Sequence, residues 1–344
     1  MRDLFDASAT RYDGVVMLTT SNWYTEPRSN RYHYATRFSR ISSVVFVQAD
    51  QTNGEYFFQE TEFEHITILH VSLLFDEDQT KAIATALTEK QILRPLFWVY
   101  SPLYVGVVEN IYSPIRILHA TEDYFAEYFK EQIAPDFLSK LFTLLSRIDL
   151  LVAVSQGVLD SYKMEGGFQG QTLLLENGCD YKFFRRIIEA QSIKEDNQQD
   201  ENVAFYQGGI NNRLDYSLIK KIVVDMPDWK FLMCGTREAD DENWKELASI
   251  PNVEDLGYLT PEEIARVASK CTVGIIPFVQ TPFIQDKSLP LKAFEYVACG
   301  LPVVTVPIKS LERWPDIFLS ASSAADFHMQ MKKAVQKMSG NFLR

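Results

Sequence analysis

A lysine and a glutamate lie three residues apart in SLPLKAFEYVACGLPVV, residues 288–304. Ser288 and Pro290 fit the N-cap and first turn of a helix, which would place Lys292 and Glu295 on one face. The N-terminus of a helix favours a diphosphate through its N–H groups and its dipole. The pattern predicts that Lys292 meets phosphate while Glu295, one turn deeper, accepts ribose hydroxyl protons. A surface ion pair is the alternative.

Two glycines and an arginine form a second candidate phosphate-binding group. Gly208 and Gly209 follow an apolar run and precede a helical segment in YQGGINNRLDYS, residues 206–217. Backbone without a side chain can approach a phosphate closely, and Arg213 would add a second cation. A hairpin or a plain turn is the alternative.

The triplet Asp76-Glu77-Asp78 has the Asp-x-Asp spelling of a metal-bound diphosphate site. It follows the apolar run VSLLF and precedes a helical pattern, so we interpret the acidic residues as a helix cap and predict no metal there. The sequence contains neither G-x-G-x-x-G nor G-x-x-x-x-G-K-[ST], which disfavours dehydrogenases and P-loop nucleotide hydrolases.

Short apolar runs alternate with helix-length amphipathic segments, which predicts an α/β fold with parallel sheets. In the first half, strands are predicted at 14–18, 44–48, 65–69, 96–100, 116–119, 150–154 and 172–175. The pattern restarts in the second half, with strands predicted at 203–206, 230–234, 253–255, 273–276 and 302–306. A polar stretch at 189–202 fits an exposed connection. With 344 residues the chain is long enough for two domains, and we place their boundary near residue 180.

Composition excludes several classes of partner. The net charge of −12, with no long basic run, argues against nucleic acid. The first residues lack the apolar core of a secretion signal, and no run approaches the roughly 20 apolar residues of a membrane helix, so a cytoplasmic protein is expected. The four cysteines are widely spaced without a C-x-x-C pair, and we interpret them as buried thiols.

Three stretches resemble the GT-B class of glycosyltransferases: residues 288–304, 150–184 and 252–278. A weaker match covers 19–40. The P-L-K-x-F-E-Y form is similar to the subgroup of the xanthan-pathway glucuronosyltransferase and the teichuronic-acid glycosyltransferases. The resemblance implies two facing Rossmann-like domains with a central cleft, an acceptor-side domain at 1–180 and a nucleotide-sugar-binding domain at 181–323. It also suggests that a C-terminal helix within 324–344 joins the first domain.

The resemblance assigns roles to the donor side. Lys292 would bind the diphosphate and Glu295 the ribose, while Leu256, Gly257 and Tyr258 would hold the base through backbone contacts or stacking. Core packing remains the alternative for Leu256. The nucleotide sugar is a substrate, and the class generally needs no bound metal, so neither a cofactor nor a metal is expected.

Transfer to a hydroxyl needs a base that takes its proton, unless the departing donor phosphate does so. The segment IRILHATEDYF predicts a strand that leads into His119, Glu122 and Asp123 at the carboxyl edge of a sheet, where α/β proteins bind ligands. We expect Asp123 to be the base, with His119 and Glu122 as the other candidates. The acidic pair could instead cap the next helix, and His119 could orient the donor sugar.

The resemblance also bears on stereochemistry. Many retaining GT-B enzymes carry two glutamates separated by seven residues, and Lys287 stands eight positions before Glu295. The missing first glutamate favours inversion of the anomeric centre. Asp286 and Lys287 remain as candidate contacts to the sugar hydroxyls or to a sugar carboxylate.

Arginines alternate with aromatic residues near the N-terminus. The set is Arg28, Arg31, Arg37 and Arg40 with Trp23, Tyr24, Tyr32, Tyr34 and Phe38. Such a surface could contact a lipid diphosphate or anionic headgroups of a membrane. If this segment is helical, its aromatic side chains could instead pack on the sheet and leave the arginines solvated.

Together these patterns predict a glycosyltransferase of the hexosyltransferase type. It would move a hexose or uronic acid from a nucleotide diphosphate sugar, with uridine diphosphate as the expected carrier, to a glycan or lipid-linked glycan in surface polysaccharide synthesis. Its expected place is the cytoplasm, at the inner face of the cell membrane. Two alternatives stay open, a nucleotide-sugar epimerase of the same fold and a non-catalytic scaffold.

Overall fold

The computed structural model describes residues 12–25, 28–130, 132–192, 202–237 and 242–339. Contacts divide the chain into two compact units, Met1–Glu176 and Asn177–Arg344. Each unit is built on a mostly parallel sheet with helices, so the α/β class is confirmed. Most of the polar connection expected at 189–202 lies outside the described residues.

The first unit contains one eight-stranded sheet. Its strands are β1 (Gly14–Thr19), β2 (Val44–Gln51), β3 (Phe57–Glu60), β4 (Ile66–Ser72), β5 (Pro95–Val99), β6 (Ile115–Ala120), β7 (Leu150–Ala153) and β8 (Gln171–Leu174). They lie in the order β3-β4-β2-β1-β5-β6-β7-β8. The edge strand β3 is antiparallel to β4, and the remaining pairs of this sheet are parallel. The strand order reverses between β1 and β5, which is the point where open α/β sheets bind ligands.

Helices cover both faces of this sheet. They are α1 (Asn30–Phe38), α2 (Glu77–Glu89), α3 (Val105–Asn110), α4 (Glu127–Lys130), α5 (Phe137–Leu145) and α6 (Gln156–Met164). Successive residues of β1 alternate between two buried clusters, with Val15 and Met17 on one face and Val16 and Leu18 on the other. Both faces of a parallel sheet are buried, which explains why these strands read as continuous apolar runs.

The second unit contains a six-stranded parallel sheet. Its strands are β9 (Asn202–Gln207), β10 (Trp229–Cys234), β11 (Val253–Asp255), β12 (Val273–Ile276), β13 (Val303–Thr305) and β14 (Phe318–Ser320). Its helices are α7 (Tyr181–Ser192), α8 (Tyr216–Asp225), α9 (Glu242–Ala248), α10 (Pro261–Ala268), α11 (Leu291–Ala298) and α12 (Ala324–Ser339). The order β11-β10-β9-β12-β13-β14 is that of a Rossmann fold, with the switch point between β9 and β12.

Every predicted strand overlaps an observed one, and two observed strands were not predicted. These are β3, a mostly exposed edge strand with the sequence FFQE, and the three-residue β14. The helix expected at the C-terminus is present as α12. It packs on α8 and β13 within the second unit, whereas the family resemblance had assigned it to the first domain. Buried Phe327, Met331 and Ala334 hold it there, and residues 340–344 lie outside the described part.

Candidate active site

The residues predicted to bind a donor nucleotide converge at the switch point of the second sheet. The last residue of β9 is Gln207, followed by Gly208, and Phe278 follows β12. The first turn of α11 brings Lys292 to the same edge, since its ammonium nitrogen lies 4.7 Å from the centre of the Phe278 ring. This is the location at which ligands bind in open α/β sheets.

Lys292 is held by aromatic side chains. Its Nζ donates a hydrogen bond of 2.9 Å to the Tyr206 hydroxyl and lies 4.2 Å from the centre of that ring. The Tyr206 hydroxyl in turn donates to the carbonyl oxygen of Gly209, 2.8 Å away. A side chain with four rotatable bonds is thereby fixed beside Gly208, where an added Cβ would lie 2.4 Å from the lysine nitrogen. Only glycine leaves room for the ammonium group there.

The environment of Lys292 opposes its charge. Burial, followed by the positive charge of Arg213, lowers the pKa of Lys292 from 10.5 to about 7, although Glu295 partly compensates. A buried cation with too little negative charge around it favours an incoming anion. A diphosphate placed on this edge would supply that charge.

Glu295 is held by a residue that the sequence did not single out. The side-chain amide of Gln207 donates to its carboxylate, and the backbone N–H of Gln207 donates to the Tyr296 hydroxyl at 2.8 Å. Burial raises the pKa of Glu295, while the Gln207 amide and the charge of Lys292 act in the opposite direction. The last residue of β9 is therefore bonded to α11 by two hydrogen bonds, and the carboxylate is oriented as an acceptor for hydroxyl groups requires.

Three glycines form a continuous edge where β9, β10 and β11 end. Gly208, Gly235 and Gly257 have φ angles of +127°, +149° and +67°, a region that side chains rarely allow. Gly235 N–H donates to the Gly257 carbonyl at 2.9 Å, and Gly208 N–H donates to the Cys234 carbonyl at 3.0 Å. A Cβ on Gly235 would lie 1.8 Å from the carbonyl oxygen of Gly208. Backbone alone therefore forms this surface, as close approach to a phosphate chain requires.

The remaining predicted donor residues border this edge. The guanidinium of Arg213 lies 5.8 Å from the centre of the Phe283 ring, and its charge reaches Lys292. Leu256 is half-buried, while Tyr258 exposes 51% of its surface. The exposed ring of Tyr258 is thus available for stacking, as predicted for the base.

One detail of the predicted helix start is wrong. Pro290, and not Ser288, precedes the first residue of α11, and no side chain caps that helix. The Ser288 hydroxyl donates instead to the Ile284 carbonyl, at the end of a π-helical turn, Phe283–Lys287, that includes Asp286 and Lys287. An N-terminus that no side chain caps leaves its first N–H groups to a ligand or to water.

The first unit buries Asp123. Its carboxylate accepts hydrogen bonds from the Ser161 hydroxyl at 3.0 Å and from the Phe125 backbone N–H at 3.1 Å, and none of its surface is exposed. These contacts tie the loop after β6 to α6, as a structural carboxylate would. Glu122, next to it, is half-buried, and its backbone carbonyl accepts from the Tyr162 hydroxyl. Of the two acidic candidates for the base, Glu122 is the more accessible.

His119 is enclosed by aromatic rings. The indole N–H of Trp98 donates to its Nδ1 at 3.2 Å, and the rings of Tyr34 and Tyr100 lie about 5 Å away. Burial and the positive charge of Arg31 lower the pKa of His119 to about 3. The imidazole is therefore neutral at physiological pH, and its Nδ1 lone pair is already used by Trp98.

The N-terminal aromatic residues pack inward. Tyr34 stacks on Trp98 with 5.4 Å between ring centres, and Phe38 lies 4.9 Å from the same indole. Arg31 lies over Tyr100, and Arg37 donates to the His33 carbonyl. Much of the aromatic character of this segment thus belongs to the core, while Tyr24 stays exposed.

Within the described residues, no group of three or more His, Cys, Asp or Glu side chains is arranged to hold a metal ion. The Asp76 carboxylate caps α2 by accepting from the Gln79 N–H at 2.9 Å, as its sequence context predicted. Over the same residues, no helix has the length and apolar character needed to cross a bilayer.

Comparison with known proteins finds a family match within the second unit. Residues 213–336 match the family of glycosyl transferases group 1. The chain is 30% identical over 167 residues to TuaH of Bacillus subtilis (strain 168), whose name assigns it as a glycosyltransferase to teichuronic acid biosynthesis. That match covers 48% of this chain and 42% of TuaH, so it spans less than half of the relative's length.

Solved structures extend the similarity to nearly the whole chain. Sucrose-phosphate synthase from Thermosynechococcus elongatus aligns with a TM-score of 0.72 at 15% identity, covering 96% of this chain and 90% of that enzyme. HepE of Anabaena in complex with UDP-glucose aligns with a TM-score of 0.66 at 12% identity, covering 96% and 92%. The chain therefore has the GT-B fold, and within its second unit residues 213–336 are similar to the glycosyl transferases group 1.

Proposed function

We propose that this protein is a glycosyltransferase that moves a hexose or uronic acid from a nucleotide diphosphate sugar to a glycan or lipid-linked glycan during surface polysaccharide synthesis. Uridine diphosphate is the proposed carrier, since HepE, which shares the fold, is described in complex with UDP-glucose. The biosynthetic context follows from the teichuronic acid role in the name of TuaH.

The observation that carries the proposal is the pairing of Lys292 with the glycine edge. The ammonium of Lys292, whose pKa burial lowers, lies against Gly208 at the switch point of a Rossmann-like sheet, beside the N-terminus of α11, which no side chain caps. The first N–H groups of a helix, its dipole and a cation together bind diphosphate well. Glu295, fixed by Gln207, lies one turn further along α11 and would accept the ribose hydroxyls.

These residues also suggest how the donor is activated. Departure of a nucleoside diphosphate builds negative charge on the phosphate that leaves the sugar. Lys292 and the first N–H groups of α11 would stabilise that charge in a site of low dielectric constant. We therefore propose that no metal ion is required, and we expect turnover to be unchanged in the presence of EDTA.

The donor site is tested by thermal shift with uridine, guanosine, adenosine and thymidine diphosphates. A ligand that binds only the native state raises the melting temperature. We expect uridine diphosphate to give the largest shift, Lys292→Ala to abolish it, and Lys221→Ala to keep it, because Lys221 is an exposed lysine on α8. If no nucleotide shifts the wild-type protein, the scaffold alternative is favoured. Turnover of the sugar nucleotide without an acceptor would favour the epimerase.

We propose inversion at the anomeric centre, with a carboxylate of the Glu122-Asp123 pair as the base. The anomeric configuration of the product, determined by NMR, tests the stereochemistry, and a retained configuration excludes a single displacement. Glu122→Gln and Asp123→Asn separate the two carboxylates, since each amide keeps the shape and loses the basicity. The variant that folds normally and loses turnover identifies the base.

We further propose that the acceptor is presented at the inner face of the cell membrane and that the protein contacts that face peripherally. The arginines of the N-terminal segment that support this are Arg28, Arg37 and Arg40. Co-sedimentation with anionic liposomes at low salt is the test, and absence of binding counts against membrane contact.

A further inference from the structure

Three polar side chains meet near the switch point of the first sheet. His119 lies on β6, Tyr100 directly follows β5, and Arg31 lies in the first turn of α1. The centres of the Tyr100 and His119 rings are 5.1 Å apart, and the guanidinium carbon of Arg31 lies 4.8 Å from the centre of the Tyr100 ring. This edge of the first sheet corresponds in topology to the donor edge of the second.

The hydrogen bond from Trp98 fixes the tautomer of His119. Because the indole N–H can only donate, the Nδ1 of His119 must accept, and the proton of the neutral ring is on Nε2. In the part of the chain that the structure describes, this Nε2–H has no hydrogen-bond acceptor, although none of the residue's surface is exposed. A buried donor without an acceptor is costly, and a ligand oxygen would remove that cost.

The neighbouring charge defines which ligand fits. Arg31 is the charged group that acts on His119, and a guanidinium can only donate hydrogen bonds. It cannot satisfy a second donor. An oxygen acceptor that carries negative charge would take the hydrogen bond from Nε2–H and be favoured by the charge of Arg31. The N-terminal end of α1 adds a partial positive charge at the same place.

We propose that His119 and Arg31 form an oxyanion subsite that binds the phosphate group of the acceptor. That the bound molecule is a glycosyl acceptor follows only from the proposed transferase function, whereas the preference for a phosphate follows from the His119 N–H and the charge of Arg31. In this subsite His119 acts as a neutral hydrogen-bond donor and not as the base. An acceptor in the form of a sugar phosphate or a lipid-linked phosphate would be positioned through its anionic end.

The test uses the imidazole signals of the full-length protein. The chain has five histidines, and long-range ¹H–¹⁵N spectra report the tautomer of each. The His119 signal is identified by its loss in His119→Gln. If that variant does not fold, it is identified as the histidine that stays neutral as the pH falls from 8 to 5, because its pKa is about 3. Inorganic phosphate is the first probe, with glucose as the uncharged control.

We expect phosphate to shift the His119 signal saturably and glucose to leave it unchanged. Arg31→Gln should weaken the apparent phosphate affinity by about tenfold or more, as loss of a charge-assisted contact does. Arg37→Gln is the matched control, because Arg37 lies on the same helix and donates to the His33 carbonyl. The proposal is overturned if phosphate leaves His119 unaffected, or if both arginine variants bind phosphate as the wild type does.

Two further measurements distinguish a soluble from a lipid-linked source of the phosphate, and the subsite from the proposed transferase function. Glucose 1-phosphate and decyl phosphate represent a soluble and a lipid-linked acceptor, and the tighter of the two identifies the source. Binding of uridine diphosphate, measured by thermal shift, should be the same in Arg31→Gln as in the wild type. Nucleotide binding without any phosphate effect on His119 refutes only the subsite. A phosphate effect on His119 without nucleotide binding refutes only the proposed transferase function.

Discussion

Binding of a nucleotide diphosphate should draw a proton onto Lys292. Burial lowers its pKa to about 7, so at pH 8 only about one molecule in ten carries the charged form. If the diphosphate restores the ordinary value of 10.5, binding takes up about 0.9 proton at pH 8, about 0.5 at pH 7 and about 0.1 at pH 6. The apparent affinity should accordingly fall roughly fivefold between pH 7 and pH 8.

Isothermal titration calorimetry at pH 8 measures this uptake. The observed enthalpy is compared in buffers of different ionisation enthalpy, and the slope gives the number of protons bound. At pH 8 the terminal phosphate of the free nucleotide is already ionised, since its second pKa is about 6, and it contributes little. Lys221→Ala should bind the nucleotide with the same proton uptake as the wild type. If Lys292→Met still binds the nucleotide, its binding enthalpy should no longer depend on the buffer.

The outcomes differ in what they refute. Tight binding at pH 8 with no proton uptake would show that Lys292 is charged before the ligand arrives, and the reasoning about its burial would be wrong. Uptake that persists in Lys292→Met would assign the proton to another group. Glu295 is the first candidate, because burial raises its pKa, and Glu295→Gln would test it.

Three further predictions concern stability, each measured by urea denaturation. Lys292→Met should raise the free energy of unfolding at pH 7 by about 1–4 kcal/mol, because a lowered pKa penalises the charged lysine. This gain over the wild type should shrink as the pH rises from 7 through 10.5, above which the lysine is neutral in both states, and a constant gain would contradict the reasoning. Gly235→Ala should cost about 3 kcal/mol or more, since its Cβ would overlap the Gly208 carbonyl, while Gly54→Ala, with a positive φ but nothing within 4 Å, should cost only about 1 kcal/mol. Asp123→Ala should cost about 1–3 kcal/mol by leaving the Phe125 N–H without its side-chain acceptor and the Ser161 hydroxyl with the Gly157 carbonyl in place of the carboxylate, and an unchanged stability would argue against the structural role of this carboxylate.

The sequence predicted the shared helix of Lys292 and Glu295 for a physical reason. Lys292 and Glu295 lie on one short helix, so their relation follows from helical geometry alone. The strands around them are apolar runs buried on both faces, and such runs are recognisable without knowledge of their neighbours. Local periodicity therefore located both the sheet and the helix that carries these side chains.

Local periodicity could not predict which side chains from distant parts of the sequence form hydrogen bonds with each other. Gln207 reaches Glu295, and Tyr206 reaches Lys292, over separations of 88 and 86 residues. The one local signal was their position at the end of a strand. The surroundings of His119 likewise depend on α1 and β5 closing over it, and no spacing in the sequence reveals that its Nε2 is buried.

The glycine edge has a consequence for changing the specificity of this protein. A main-chain surface without side chains has the same shape for every diphosphate, and a side chain at Gly235 would overlap the Gly208 carbonyl and damage the fold before it altered recognition. Selection for a new nucleotide or sugar would therefore act on the side chains around the edge, such as Tyr258, Asp286 and Lys287. Libraries for directed evolution should leave Gly208, Gly235 and Gly257 unchanged.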